Sequence, residues 1–458
     1  MKKKSIGLIL GILIPAAIYL LPLKNLSEEG RRCLSLSLMA VILWACQVTQ
    51  PGYTSALLLG LYIIFDVAKP ADVLYAWTNS AIYLIIGAYL IASAVKTSGL
   101  GERIAYWFIS KFVRSFMGVM FSIFSMTLLL SIIIPHPWPR AFLIMSIMKE
   151  VIENAKISKR DSITIGYTVF AISVPIGMML LTGDSSINPL AVQYSGVELG
   201  WLGWFKLMAL PAFITSVITC AAIMIVFKPE SKMAIDSNAA KLRLQNLGKL
   251  TAKEKRVIIW LTVSVVLWCT DSLHGMDIGW ITLVIAALMS FPVIGELLTP
   301  EAWKEVPVHV LLFISAAMAI GKVGALTGMN EWIAATFLSY GLPTNAYVLA
   351  LVIFLASAVI HMMLGSVIAV MSVVIPAILA FTAGSGINPI VPALWAYTTV
   401  TMQYIFPFQN MSILVGCGEE NGLYSQRETI RFSVPLFVIT IISVMLETIW
   451  WKIIGVLA

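Results

Sequence analysis

Apolar residues in this chain gather into long runs with few or no charges, rather than alternating with polar residues as on a half-exposed helix or strand. Such runs lie at 5–23, 33–50, 53–67, 82–98, 163–182 and 205–227, then at 256–270, 278–294, 306–325, 391–407 and 432–455. A helix that crosses hydrocarbon needs about 17–25 residues. The pattern therefore predicts about eleven transmembrane helices, several of them short. Two more apolar regions do not read as single spans. Residues 116–152 are interrupted by Pro135, His136, Pro137, Pro139 and Arg140, and residues 346–383 by His361, Gly365 and Ser366. Apolar residues flank each break on both sides, as in a half-crossing followed by a return. Irregular backbone at membrane depth is tolerated only where protein or a water-filled cavity satisfies it. The expectation is an all-α integral membrane protein with two re-entrant hairpins, whose turns are candidate sites.

The two halves of the chain resemble each other. SGLGERIAYWFIS at 98–110 and TGMNEWIAATFLS at 327–339 share six identical positions at an offset of 229. The same offset carries His136 onto Gly365, so one segment predicts the interruption in another. An internal repeat of this kind is the usual sign of a secondary carrier with its site at the repeat interface. The number of intervening spans makes the repeats inverted. The predicted organisation is an N-terminal helix and loop at 1–32, a first repeat at 33–227, a basic linker at 228–256 and a second repeat at 257–458. The first repeat holds the hairpin at 116–152 and a broken helix at 163–190; the second holds a hairpin at 346–383 and a broken helix at 391–418.

Composition agrees and narrows the class. Of 458 residues 59% are apolar and only 12% charged, which excludes a soluble enzyme and a nucleic-acid-binding protein. The net charge of +7 is concentrated in Lys2, Lys3, Lys4 and the 228–256 stretch. Lys/Arg clusters beside apolar spans mark the cytoplasmic face. Six spans separate the two clusters, so both lie inside, with the N-terminus cytoplasmic and the C-terminus extracytoplasmic in a cell membrane. The first hairpin then enters from the cytoplasm and the second from outside. MKKK followed by a 19-residue apolar run is similar to a signal peptide, but lacks a clear small-x-small cleavage site and reads as an uncleaved first helix. The five cysteines show no C-x-x-C spacing and read as small packing residues.

Four constellations could carry chemistry. At the first turn, SIIIPHPWPRAF, the prolines cannot continue a helix, and Arg140 stands as a five-donor cation at membrane depth. It either meets a carboxylate at the turn or reaches back to the cytoplasmic face. At the second turn, Ser366 beside Gly365 offers a hydroxyl and a flexible backbone, while His361 reads as a packing residue or a ligand contact. In LTGDSSINPL, Thr182, Asp184, Ser185, Ser186 and Asn188 break the fifth span; freed N–H groups can hold an anion and freed carbonyls a cation. IFPFQNMSILVGCG repeats the design with Pro407, Gln409, Asn410 and Ser412. No G-x-S-x-G, H-E-x-x-H or Walker motif competes, and no metal or cofactor site is expected.

TSALLLGLYIIFDV, IYLIIGAYLIASAVKTSGLGERIA, VLLFISAAMAIGKVGALTGMNEWIA and IFPFQNMSILVGCG, together with the order of hairpins and broken helices, resemble the divalent anion/sodium symporter family over nearly the whole chain. The resemblance implies a homodimer whose transport regions move like elevators and carry di- or tricarboxylates. It also implies substrate and sodium sites at Ser-Asn-Thr motifs on both turns and in the broken helices. This chain departs from that pattern: His136-Pro137-Trp138 stands at the first turn and Ser366-Val367-Ile368 at the second, so only Ser366 carries over. An Arg just after the first turn is similar to the citrate and oxoglutarate exchangers of the family. Substrate contacts are expected from His136, Pro137, Trp138, Arg140, Ser185, Ser186, Asn188, Ser366, Gln409 and Asn410, and cation contacts from Thr182, Asp184, Ser366 and Asn410. The favoured reading is an anion exchanger or proton-coupled carrier; sodium symport, or carriage of an inorganic oxyanion such as sulfate, is the alternative.

Overall fold

A computed structural model describes residues 2–46, 48–229, 238–337, 343–382 and 385–457. Part of the basic linker (230–237), Ser339 of the repeated motif and residue 383 of the second hairpin lie outside them. Every named element among the described residues is a helix, with one isolated bridge between Cys417 and Tyr424. Six of these helices are long and apolar enough to cross a membrane: Ser80–Ser98, Phe116–Ile133, Lys159–Met178, Trp201–Phe227, Val308–Leu326 and Gln426–Ile453. The eleven apolar runs all fall on helices, but several helices are shorter than their runs. The run at 278–294 ends its helix at Leu288, and a turn around Pro292 follows in which Val293 takes left-handed backbone (φ 73°). The run at 391–407 ends its helix at Met402, where Gln403 turns to extended backbone.

Within the basic linker, Asn238–Asn246 is a helix packed on Leu100–Phe112, and Thr251 begins the next long helix. There Thr251 and Glu254 form a capping box for Ala252–Cys269. Arg103 grips Glu254 with two N–H groups, at 2.6 and 3.1 Å, and also donates to the carbonyls of Leu247 and Gly248. The first half of the chain thereby anchors the start of the second.

Element order recurs between the halves, and so does packing. Pro51–Ile64 lies against Val308–Leu326, while Ile278–Leu288 lies against Ser80–Ser98. Each pair joins one helix from each half, and exchanging the halves turns one pair into the other. Glycine permits the close approach in both. A side chain on Gly279 would stand 2.2 Å from the Ser80 carbonyl oxygen, and one on Gly52 would stand 2.8 Å from the Cβ of His309. Small residues of this kind let helix backbones touch in an apolar solvent, where packing rather than hydrophobic burial joins helices.

Both interrupted regions form helix pairs. Phe116–Ile133 and Pro137–Asn154 flank the first turn; Ala346–Leu364 and Val367–Thr382 flank the second. The first pair has 18 residues in each arm, about 27 Å at ~1.5 Å per residue, which is longer than a half-crossing. Its turn is nonetheless inside the protein, with His136 1% and Arg140 0% exposed. His136 caps the second arm, and Pro137 occupies its first turn, where a missing N–H costs nothing. At the second turn Gly365 ends the arm with left-handed backbone (φ 62°).

Candidate functional site

Two helices are broken where the sequence places the polar runs. Lys159–Met178 gives way to a short 3-10 turn at Leu181–Asp184 and resumes as Asn188–Ser195. Ile390–Met402 gives way to a turn at Pro407–Gln409 and resumes as Met411–Gly416. An asparagine ties each break. Asn188 donates to the carbonyls of Gly177 and Leu180, at 2.8 Å each, and Asn410 donates to that of Thr401 at 3.0 Å. Asn410 also caps the resumed helix by accepting from the N–H of Ser412. Both side chains thus satisfy carbonyls freed by the break. That holds the unwound backbone in place.

Each hairpin turn docks on the break of its own half. His136 Nδ1 accepts from the N–H of Trp138, so Nε2 of the singly protonated ring carries the hydrogen. That atom is 3.0 Å from the Tyr89 hydroxyl and 3.1 Å from the Ser186 hydroxyl. The Ser185 N–H donates to the carbonyl of Pro135. In the second half, His361 Nε2 donates to the carbonyl of Gln409 at 3.2 Å, and Gln409 returns a bond to the carbonyl of His361. Gly365 stands against the ring of Phe408. The halves meet where the Tyr397 hydroxyl donates to Asn188 Oδ1. Ser366 is half-buried beside its turn, and Thr182 accepts from the Trp201 indole N–H at 3.1 Å.

Arg140 is the centre of the first side. It does not reach an exposed face, nor does it form an ion pair among the described residues. Its guanidinium donates to the carbonyls of Ile134 (3.3 Å), Gly183 (3.2 Å) and Ser173 (3.3 Å). One cation therefore pins together the turn, the break and the helix that precedes the break. No hydrogen bond or ion pair joins it to Asp184, whose Oδ1 accepts from the N–H of Ser186. Arg140 Nε and Ser185 Oγ are buried without partners, as are His361 Nδ1, Thr401 Oγ1 and Gln403 Oε1 on the second side. Among these groups, Tyr89, Tyr397 and the three carbonyls that hold Arg140 were not foreseen from the sequence; main-chain acceptors leave no residue-type signal.

A separate cavity of about 340 Å³ lies away from the turns, beside the short helix that follows the first break, with Tyr75, Gln193, Tyr194, Lys322 and Pro376 among its walls.

A family model described as "Sodium:sulfate symporter transmembrane region" matches residues 2–457. The chain belongs to this family, the divalent anion/sodium symporters. It is a multi-pass membrane transporter, not an enzyme. A membrane protein of Cupriavidus necator is 22% identical over 94% of this chain and 89% of its own length. Dicarboxylate transporter 1 of Spinacia oleracea chloroplasts is 25% identical over 71% of this chain, which spans 60% of that longer protein. Dicarboxylate transporter 2.2 of Arabidopsis thaliana chloroplasts is 24% identical over 85% of this chain and 72% of its own length. The crystal structure of the Alcanivorax borkumensis YdaH transporter superposes with a TM-score of 0.53 at 14% identity, covering 94% of this chain and 99% of the other. That likeness concerns the fold alone.

Proposed function

We propose that this transporter carries small di- or tricarboxylate anions, held between the two hairpin turns and the two broken helices. The observation behind this reading is Arg140, a fully buried guanidinium with no ion-pair partner among the described residues. An intramembrane cation left without a counter-charge is costly, and such groups mark substrate pathways. A carboxylate arriving at the turn supplies the missing charge, and the planar fork can pair two of its oxygens. In this reading His136, Pro137, Trp138, Ser185, Ser186 and Asn188 contact the anion from the first side, and Ser366, Gln409 and Asn410 from the second. The names of the spinach and Arabidopsis relatives support the carboxylate class.

The site moves by an elevator-type displacement. The two cross-half helix pairs, locked by glycine contacts, form the static part. The hairpins and broken helices form the moving part of two inverted repeats. Both basic clusters face the cytoplasm, and the protein works as a homodimer.

Exchange of one anion for another, or coupling to protons, fits a permanent cation at the site better than sodium symport does. A fixed guanidinium repels sodium at short range and supplies the charge that sodium would bring. The family's description, which names sodium and sulfate, favours a second reading: sodium-coupled uptake through Thr182, Asp184, Ser366 and Asn410, with a dicarboxylate or sulfate as cargo. Uptake into vesicles without a counter-anion separates the two. Under the exchange reading an inward sodium gradient leaves it unchanged. A steep rise with sodium, abolished by Asp184→Asn, would establish the second reading instead.

A further inference from the structure

We propose that Glu447 is a proton-binding site of this carrier, neutral in the conformation seen here and ionised when the surrounding helices rearrange. The inference rests on the proton-coupled form of the function proposed above and assigns its proton to a residue outside the anion site.

Glu447 lies within Gln426–Ile453, and it is fully buried. Its Oε1 stands 2.6 Å from the Thr398 hydroxyl, while Oε2 is buried without a hydrogen-bond partner. No cation pairs with it among the described residues. The helices packed on this one are Trp201–Phe227, Ala346–Leu364 and Ile390–Met402. The first carries Lys206, an exposed residue whose carbonyl accepts from Trp450, and Cys220. The second carries Tyr347 and His361, and His361 is committed to Gln409. The third carries Tyr397, whose hydroxyl is committed to Asn188. On its own helix, Lys452 lies over the Tyr347 ring, 5.1 Å from its centre.

None of these groups neutralises a carboxylate. In an apolar interior, a lone carboxylate with one neutral donor takes up a proton rather than keep its charge. The step is a simple balance: one carboxylate and one proton give one carboxyl, with no electron moved. Position links it to transport. Thr398, which touches Glu447, is the chain neighbour of Tyr397, which holds the first broken helix through Asn188. Displacement of that break on anion binding or release is passed to the Glu447 environment through a single helix.

The test compares the full-length protein with Glu447→Gln, an uncharged isostere that still accepts from Thr398, in proteoliposomes carrying an internal pH dye. The expected result is that the variant loses both succinate uptake driven by an inward proton gradient and succinate-evoked proton entry. Succinate counterflow at equal pH persists. A purely structural acid would leave the proton responses intact in the variant, and that result would overturn the proposal. So would a wild type that performs counterflow but moves no protons, an outcome that leaves the exchange reading standing. If the wild type carries no carboxylate at all, the carboxylate reading fails, and Glu447 is judged by infrared spectroscopy. A protonated-carboxyl band present at neutral pH and lost in Glu447→Gln supports the site; its absence from the wild type overturns it.

Discussion

Arg140 illustrates how one side chain serves fold and site together. Its three carbonyl partners belong to the turn, the break and the preceding helix. Charged hydrogen bonds contribute ~1.5–3 kcal/mol each, and removal strands buried acceptors. Arg140→Ala is therefore expected to lower stability by on the order of 3 kcal/mol or more, seen as a lower melting temperature in detergent, and to abolish transport. Arg140→Lys keeps the charge but not the fork, and it should retain partial transport. A second expectation concerns His136 and Ser186, 3.1 Å apart across turn and break. A double-mutant cycle of His136→Ala and Ser186→Ala should give a coupling of about 1 kcal/mol in detergent unfolding; additive effects would mean that the contact contributes nothing. Arg140, His136 and Ser186 were readable in advance, because a cation or a polar cluster inside an apolar run is conspicuous. The Glu447 carboxyl was not singled out, because it stands alone within the long apolar run at 432–455. Tyr89 and Tyr397 were not readable, since a tyrosine in an apolar helix looks the same whether its hydroxyl is engaged or at an interface.

Among the elements, breaks were easier to foresee than boundaries. Proline runs and the clusters at 181–190 and 403–412 locate the interruptions well, because a missing N–H and short polar side chains end helices for local reasons. Boundaries depend on partners that the sequence does not reveal. Ile278–Leu288 is only 11 residues long, and its packing on Ser80–Ser98 follows from Gly279 and Gly87. A methyl on Gly279 would meet the Ser80 carbonyl at 2.2 Å, which backbone movement alone can relieve. Gly279→Ala should cost about 1–3 kcal/mol, measured as a drop in melting temperature.

At the level of the whole molecule, the repeat, the charge clusters and the two polar breaks together specify a carrier, although no single one of them does. Their arrangement around Arg140, and not a motif, supports an anionic cargo. The homodimer expectation places its contacts in 33–67 and 256–294, apart from the hairpins; in the structure the first of these stretches also packs on the second hairpin, where Ala369 shares a core with Cys33, Trp44 and Tyr62. Cross-linking through single cysteines introduced on those helices should give dimers in native membranes, and cysteines on the hairpin arms should not. The most direct measurement is counterflow: purified protein in liposomes preloaded with unlabelled succinate, oxoglutarate, citrate or sulfate, followed by entry of the matching labelled anion. Transient accumulation of a labelled di- or tricarboxylate, lost in Arg140→Ala and independent of sodium, is the expected result. Accumulation of sulfate alone, or undiminished carboxylate counterflow in Arg140→Ala, would contradict it.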